Sequence, residues 1–187
     1  MADLERESLH VEPTGLLDTA RHYIRDLVYG AIDGIITTFA VVAGVSGGNL
    51  SAGVILIVGV ANLSADGLSM GVGNYLGIRS EEGVRKAQQL PEQEAQPGRH
   101  GLATFIAFVV AGIVPLTPYF LPSFGTSQFA LSIALTMASL FGVGALRSIV
   151  TVESWWRSGL EILGLGLAVA VAAYGTGMLI ARIAPGV

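Results

Sequence analysis

The sequence contains no cysteine and few charged residues, and both shortages exclude whole classes of protein. Without cysteine there can be no disulfide scaffold, thiolate metal site, thiol catalysis or Fe–S cluster. Charged residues make up only 13% of the 187 positions, whereas 52% are hydrophobic. A soluble domain of this size cannot bury so many apolar side chains. A net charge of −4 without any basic block excludes a nucleic-acid-binding protein. The composition therefore predicts an integral membrane protein.

Five apolar runs are long enough to cross a bilayer, which takes about 20 residues in helical form. We therefore predict an all-α integral membrane protein with five transmembrane helices, forming one transmembrane domain over residues 27–187. The five runs cover residues 27–46, 52–76, 101–121, 129–149 and 160–183.

The polar segments outside these runs give no sign of a second domain. Residues 1–26 are a charged tail, and the spacing of apolar residues at 16–27 predicts an amphipathic helix lying on the membrane surface. The loop at residues 78–100 is the longest polar stretch, but it is too short to hold a hydrophobic core of its own. We expect it to extend the second helix by about two turns and then to turn back.

The ten lysines and arginines are distributed unevenly between the two sides of the predicted bundle. Nine lie in the amino-terminal tail, in the loop at 78–100, or around the connection between the fourth and fifth runs, while the loops at 47–51 and 122–128 contain none. Basic loop residues mark the cytoplasmic side. We therefore predict a cytoplasmic amino terminus and a carboxyl terminus that lies outside the cell or in a lumen.

Two acidic residues lie inside predicted spans, where an ionisable group is costly and is therefore a candidate functional residue. Asp33 lies in the first span. Asp66 lies in the second span and shares a helix face with Asn62 and Met70. Glycine pairs four residues apart accompany both aspartates, and such pairs allow another helix to approach closely.

The donor atoms on these faces suit a borderline divalent cation. Carboxylate and amide oxygens together with a methionine sulfur favour Fe²⁺ or Mn²⁺ over Mg²⁺ and Ca²⁺, which take oxygen ligands. Weak ligation suits a transporter, because the ion must also leave. A carboxylate in a low-dielectric site favours its protonated form, so the same aspartate can exchange a proton for a cation.

Four motifs follow one another along the spans, and on them the chain resembles the vacuolar iron transporter family. They are DLVYGAIDGIITTFAVVAGVSGG, ANLSADGLSMGVGNYLGIRSE, GALRSIVTVESWWRSGLEILGLG and AYGTG. The resemblance implies a homodimer of five-helix protomers that moves Fe²⁺, and often Mn²⁺, out of the cytoplasm in exchange for protons. It also implies that the ion path runs between the two subunits and that Asp33 and Met70 are ion-path residues.

The chain departs from plant-type members of that family in two places. Where they have a glutamate eight residues before the methionine, this chain has Asn62, and we infer that Asp66 supplies the charge from one helical turn before Met70. Their glutamate-rich cytoplasmic metal-binding domain is missing, which leaves only the loop at 78–100. Glu81 and Glu82 in that loop are candidates for attracting cations at the cytoplasmic mouth of the path, although a solvated charged loop is favoured.

The remaining expectations concern ligands and partners. The three histidines, His10, His22 and His100, lie outside the predicted spans, and we favour exposed surface histidines over an accessory metal site. No resident cofactor is expected, since the divalent metal ions are cargo and the protons are the coupling ion. The expected partners are a second copy of the chain and the lipid bilayer. The expected location is a bacterial inner (plasma) membrane, or a vacuolar-type membrane in a eukaryote.

Alternative functions stay open at this point. An intramembrane aspartyl protease would need a glycine-x-glycine-aspartate motif and a partner tyrosine-aspartate, which the sequence lacks, so we expect no enzyme. Nothing like G-x-x-x-x-G-K-[ST] is present, which argues against ATP-driven pumping by this chain. A transporter of another cation and a non-transporting structural membrane protein of the same fold are the alternatives that remain.

Overall fold

Helices account for most of the residues that the structure describes. The computed structural model describes residues 8–121, 127–149, 151 and 153–184. Its helices, in chain order, are α1 (Leu16–Gly47), α2 (Ala52–Ala87), α3 (Pro97–Gly112), α4 (Thr117–Phe120), α5 (Gln128–Arg147) and α6 (Trp155–Ile183).

Five helical segments are long and apolar enough to cross a membrane, which confirms the predicted number of spans. Four of them are α1, α2, α5 and α6, and the fifth runs through α3 and α4 from Pro97 to Phe120. The helix predicted at residues 16–27 is present as the first turns of α1, and it continues into the first span without a break. Its position at the membrane surface stays a prediction.

The third span is interrupted near its carboxyl end, which the sequence analysis did not predict. After α3 the chain passes through a 3₁₀ turn, Val114–Leu116, before α4 begins. Pro115 and Pro118 lie in this stretch, and proline cannot donate the backbone hydrogen bond that continues an α-helix. The Pro115 carbonyl accepts a 2.7 Å hydrogen bond from the hydroxyl group of the buried Ser132 of α5.

Helix α1 lies at the centre of the bundle and packs against α2, α3, α5 and α6. Its contact with α3 is close enough to require glycine. A Cβ atom on Gly30 would lie 2.5 Å from the Thr104 carbonyl oxygen, and one on Gly34 would lie 2.3 Å from the Phe108 carbonyl oxygen. The glycine pair predicted to admit another helix therefore does so, and the helix that it admits is α3.

The outer surface of the bundle is apolar. Helix α6 is the least covered of the spans: its few buried residues all lie in its first half, between Ser158 and Gly166. Its exposed side chains include Leu165, Leu167, Val171, Leu179 and Ile180. Exposed apolar surface on this scale marks contact with lipid or protein rather than with water. The chain is an integral membrane protein.

The loop between α2 and α3 is folded onto the end of α2, as predicted. Helix α2 extends past the predicted span to Ala87, and the chain then turns back. The Arg85 guanidinium donates two hydrogen bonds, of 3.0 and 2.9 Å, to the Pro91 carbonyl. Glu82 Oε1 accepts the backbone N–H groups of Gln93 and Glu94 at 2.9 and 3.0 Å. These bonds hold the loop in one conformation beside the amino terminus of α3.

Candidate functional site

Asp33 lies on a face of α1 that other helices leave partly open. The residue is half-buried, and it borders a cavity of about 420 Å³ that Tyr29, Ile36 and Arg147 also line. Its backbone carbonyl accepts a 2.7 Å hydrogen bond from the Thr37 hydroxyl. Among the described residues, no hydrogen bond or ion pair satisfies the Asp33 carboxylate itself. A membrane carboxylate in that condition is available for a mobile ligand.

The predicted residues of α2 form a half-buried stripe beside Asp33. Asn62, Asp66 and Met70 follow one another at intervals of four residues, and each is half-buried. The Asp66 carboxylate is close enough to Asp33 for the two charges to interact. The structure therefore brings together one predicted residue from each helix.

The two glutamates predicted at the mouth of the path differ in their surroundings. Glu81 is exposed, whereas Glu82 is half-buried and binds the backbone of the α2–α3 loop as described above. Glu82 also lies 3.8 Å from the Arg85 guanidinium. Both residues line one open cavity of about 560 Å³ at this end of the bundle. The role of Glu82 in the loop fold is a structural one that the sequence analysis missed.

A cluster of histidines lines the same cavity, and here the expectation of exposed surface histidines is wrong. The side chains of His10 and His100 are each only 8% exposed, and that of His22 is 22% exposed. The three rings come from the amino-terminal segment, from α1 and from α3. His22 lies between the other two, with ring centroids 5.7 Å from His10 and 5.0 Å from His100.

The Glu94 carboxylate lies in the middle of the three imidazoles. Its Oε2 is 2.9 Å from His100 Nε2 and 3.5 Å from His22 Nε2, and its Oε1 is 3.2 Å from His10 Nδ1. Burial alone would raise the pKa of Glu94, but the Gln96 N–H donated to Oε1 and the neighbouring His100 and His10 outweigh it. The pKa of this carboxyl group is therefore held below its ordinary value.

A network of buried polar side chains contacts this cluster through His100. Asp26, only 2% exposed, contacts His100 Nδ1 through Oδ2 and accepts a 2.8 Å hydrogen bond from Asn74 through Oδ1. The same Asn74 amide lies 2.8 Å from the Thr104 hydroxyl oxygen. The network ties α1, α2 and α3 together and fixes which ring nitrogen of His100 faces Glu94.

The amino-terminal segment is attached to the α2–α3 loop by further contacts. The Leu9 N–H donates a 2.8 Å bond to the Glu92 carbonyl, in an isolated parallel bridge. Glu12 accepts a hydrogen bond from the Gln96 amide and lies 3.0 Å from the Arg99 guanidinium. These contacts place His10 beside Glu94. Contacts between residues so far apart leave no local pattern in the sequence. The sequence did place all three histidines on the same predicted side of the membrane, and that was the available sign that they could meet.

Comparison with known proteins identifies the family. The sequence model of the VIT family matches residues 24–95 and 84–178, and these segments extend from the first span into the fifth. The chain belongs to the VIT family. The two matched segments of this VIT protein meet in the α2–α3 loop, where the sequence analysis expects an inserted domain to be missing.

Several curated proteins similar to this VIT protein are named vacuolar iron transporters. Vacuolar iron transporter 1 of Arabidopsis thaliana is 26% identical over 235 aligned residues, which cover 91% of this chain and 94% of the relative. Vacuolar iron transporter 1 of Tulipa gesneriana is 27% identical over 213 aligned residues, which cover 83% of this chain and 86% of the relative. Since the first alignment is longer than the 187-residue chain, that relative has residues without a counterpart here. The vacuolar iron transporter of Toxoplasma gondii is 38% identical, but over only 49% of this chain.

Proposed function

We propose that this VIT protein is a metal transporter that moves Fe²⁺, Mn²⁺ or both out of the cytoplasm in exchange for protons. The proposed path runs along the Asp33 and Asp66 faces at the interface of a homodimer. Relatives that align along most of the chain are named vacuolar iron transporters, which supports metal transport. The observation that carries the proposal is the pair of half-buried membrane carboxylates, Asp33 and Asp66, on two helices that pack against each other, with no described hydrogen bond or ion pair to the Asp33 carboxylate.

The chemistry of the stripe favours a divalent ion of borderline softness. Two carboxylates and the Asn62 amide oxygen supply hard donors, and the Met70 sulfur supplies a soft one. Since two bare negative charges repel one another in a low-dielectric site, the pair holds either protons or a cation. Exchange of the one for the other couples metal movement to a proton gradient.

The homodimer is proposed from the uncovered polar face of α2. Asp66, Met70, Gly73 and Gly77 lie on one face, and a Cβ on either glycine would meet nothing within 4 Å inside the protomer. Polar groups and small residues on a membrane helix favour contact with another helix over contact with lipid. A second copy of this chain covers that face and encloses the aspartates.

The proposed orientation in the membrane rests on the distribution of basic residues. Arg85, Lys86 and Arg99 lie at the end of the bundle that holds the α2–α3 loop. By the positive-inside rule this end faces the cytoplasm, and the opposite end faces the outside or a lumen. The proposed membrane is a bacterial inner membrane, or a vacuolar-type membrane if the source is a eukaryote.

Removal of the Asp33 charge tests the path. In proteoliposomes with an acidic interior, the wild-type protein is expected to take up Fe²⁺ or Mn²⁺, and Asp33→Asn is expected to reduce uptake to that of empty vesicles. Asp18→Asn is the matched control, because Asp18 lies on the same helix but is 54% exposed near its start. It should transport as the wild type does.

Three results would contradict this proposal or part of it. Wild-type rates in Asp33→Asn would remove that residue from the path. No flux of either ion through folded wild-type dimers would favour a structural membrane protein, and flux of a different cation alone would change the cargo.

A further inference from the structure

We propose that His10, His22 and Glu94, with His100 beside them, form a binding site for a divalent transition-metal ion. The site lies at the end of the bundle outside the apolar spans, apart from the Asp33 and Asp66 path. Its ability to bind metal does not depend on the proposed transport function.

The donor atoms converge from three separate parts of the chain. One atom each from His10, His22 and Glu94 lies within 4.8 Å of the other two. Ligands of a tetrahedral site with metal–nitrogen bonds of roughly 2.0–2.1 Å lie about 3.4 Å apart. The observed distances from Glu94 oxygens, 3.2 Å to His10 and 3.5 Å to His22, are already close to that spacing.

The ring nitrogens that face Glu94 have no other role in the structure. His10 Nδ1, His22 Nε2 and His100 Nε2 are buried, and apart from the Glu94 oxygens at 2.9–3.5 Å none of them has a hydrogen-bonding partner among the described residues. Buried polar atoms in native proteins nearly always have partners. Three such nitrogens around one carboxylate are the arrangement that a metal ion would satisfy.

The surroundings match the outer shell of a metal site. A ligating histidine usually binds a carboxylate through its second ring nitrogen, which fixes the tautomer and the orientation of the ring. The buried Asp26 contacts His100 Nδ1 in this way and leaves Nε2 directed at Glu94. Glu94 is itself oriented by the 2.8 Å bond from the Gln96 N–H.

The ligand set selects the class of ion. Imidazole nitrogens with one carboxylate suit Zn²⁺, Fe²⁺, Co²⁺ and similar ions, and they disfavour Mg²⁺ and Ca²⁺. The cavity of about 560 Å³ on which the cluster borders is open and also carries Glu81, so that a cation can reach the ligands. A bound ion would link the amino-terminal segment to α1 and to the α2–α3 loop.

Co²⁺ is the probe of choice, because its visible ligand-field bands change in energy and intensity when protein ligands replace water around the ion. Full-length protein in detergent is titrated with Co²⁺, and Zn²⁺ is then added in competition. We expect the wild type to show ligand-field bands that Zn²⁺ removes. His22→Gln and Glu94→Gln should each weaken binding by about tenfold or more.

Controls separate this site from the transport path and from misfolding. Asp33→Asn and Asp18→Asn should both keep the Co²⁺ bands. His10→Gln should weaken binding without affecting the bundle, because His10 precedes the first helix. Absence of bands in the wild type, or wild-type affinity in both histidine variants, would overturn the site. Retained Co²⁺ bands in protein that transports nothing would count against the proposed function alone.

Discussion

At the scale of single residues, two aspartates of the same helix have opposite surroundings. Asp26 is almost fully buried and contacts both Asn74 and His100, which are the partners of a structural carboxylate. Asp33, two helical turns later, is half-buried and has no described hydrogen-bond partner for its carboxylate. In the sequence, its position inside an apolar span made Asp33 a candidate. Only the structure separates the carboxylate that has hydrogen-bond partners from the one that has none among the described residues.

The sulfur of Met70 is expected to determine selectivity rather than fold. Met70→Leu keeps the side-chain volume and removes the soft donor. We expect transport of Mn²⁺ relative to Mg²⁺ to fall by roughly tenfold, which corresponds to about 1.4 kcal/mol of differential binding. Competition between the two ions for uptake into proteoliposomes measures this ratio.

Met137→Leu is the matched control for that substitution. Met137 lies on α5 and packs against the two apolar core clusters of the bundle. Its substitution by leucine also removes one thioether sulfur. Its selectivity should equal that of the wild type. Equal selectivity in Met70→Leu would show that the Met70 sulfur only packs.

At the scale of helices, the glycine pairs of α1 and α2 have two different uses. Gly71 packs against α3, where an added Cβ would lie 2.8 Å from the Gly101 carbonyl oxygen. Gly73 and Gly77 lie on another face of the same helix, where an added Cβ would meet no described atom within 4 Å. The sequence predicted that these pairs admit other helices. It could not assign each pair to a partner, because that depends on how the bundle is assembled.

A leucine on the open face of α2 should disrupt the proposed dimer. Gly73→Leu places a large side chain where the partner subunit is expected to approach closely, so we expect monomers. Molar mass in detergent, measured by light scattering, distinguishes the two states. Gly164→Leu on α6 is the control, since that glycine also has no neighbour within 4 Å. A Gly73→Leu protein that stays dimeric would place the interface elsewhere.

At the scale of the whole molecule, the apolar runs were sufficient to predict the number of spans. A membrane helix must satisfy its own backbone hydrogen bonds over about 20 residues, and this requirement is visible in sequence. The break at Pro115 was not predicted, because the spans were identified by their apolar composition and the two prolines leave the third run apolar over its whole length. The histidine cluster was missed because it depends on the amino-terminal segment meeting the loop at Glu92 and Glu94, a contact without local periodicity.

The most direct test of proton-coupled metal transport is to measure both ions at once. Purified protein is reconstituted into vesicles with an acidic interior that contain a pH-sensitive dye, and Mn²⁺ uptake is followed together with the internal pH. The account predicts that Mn²⁺ enters as protons leave, and that both fluxes stop when a protonophore removes the gradient. Mn²⁺ uptake that proceeds at the same rate without a proton gradient and without proton release would contradict it.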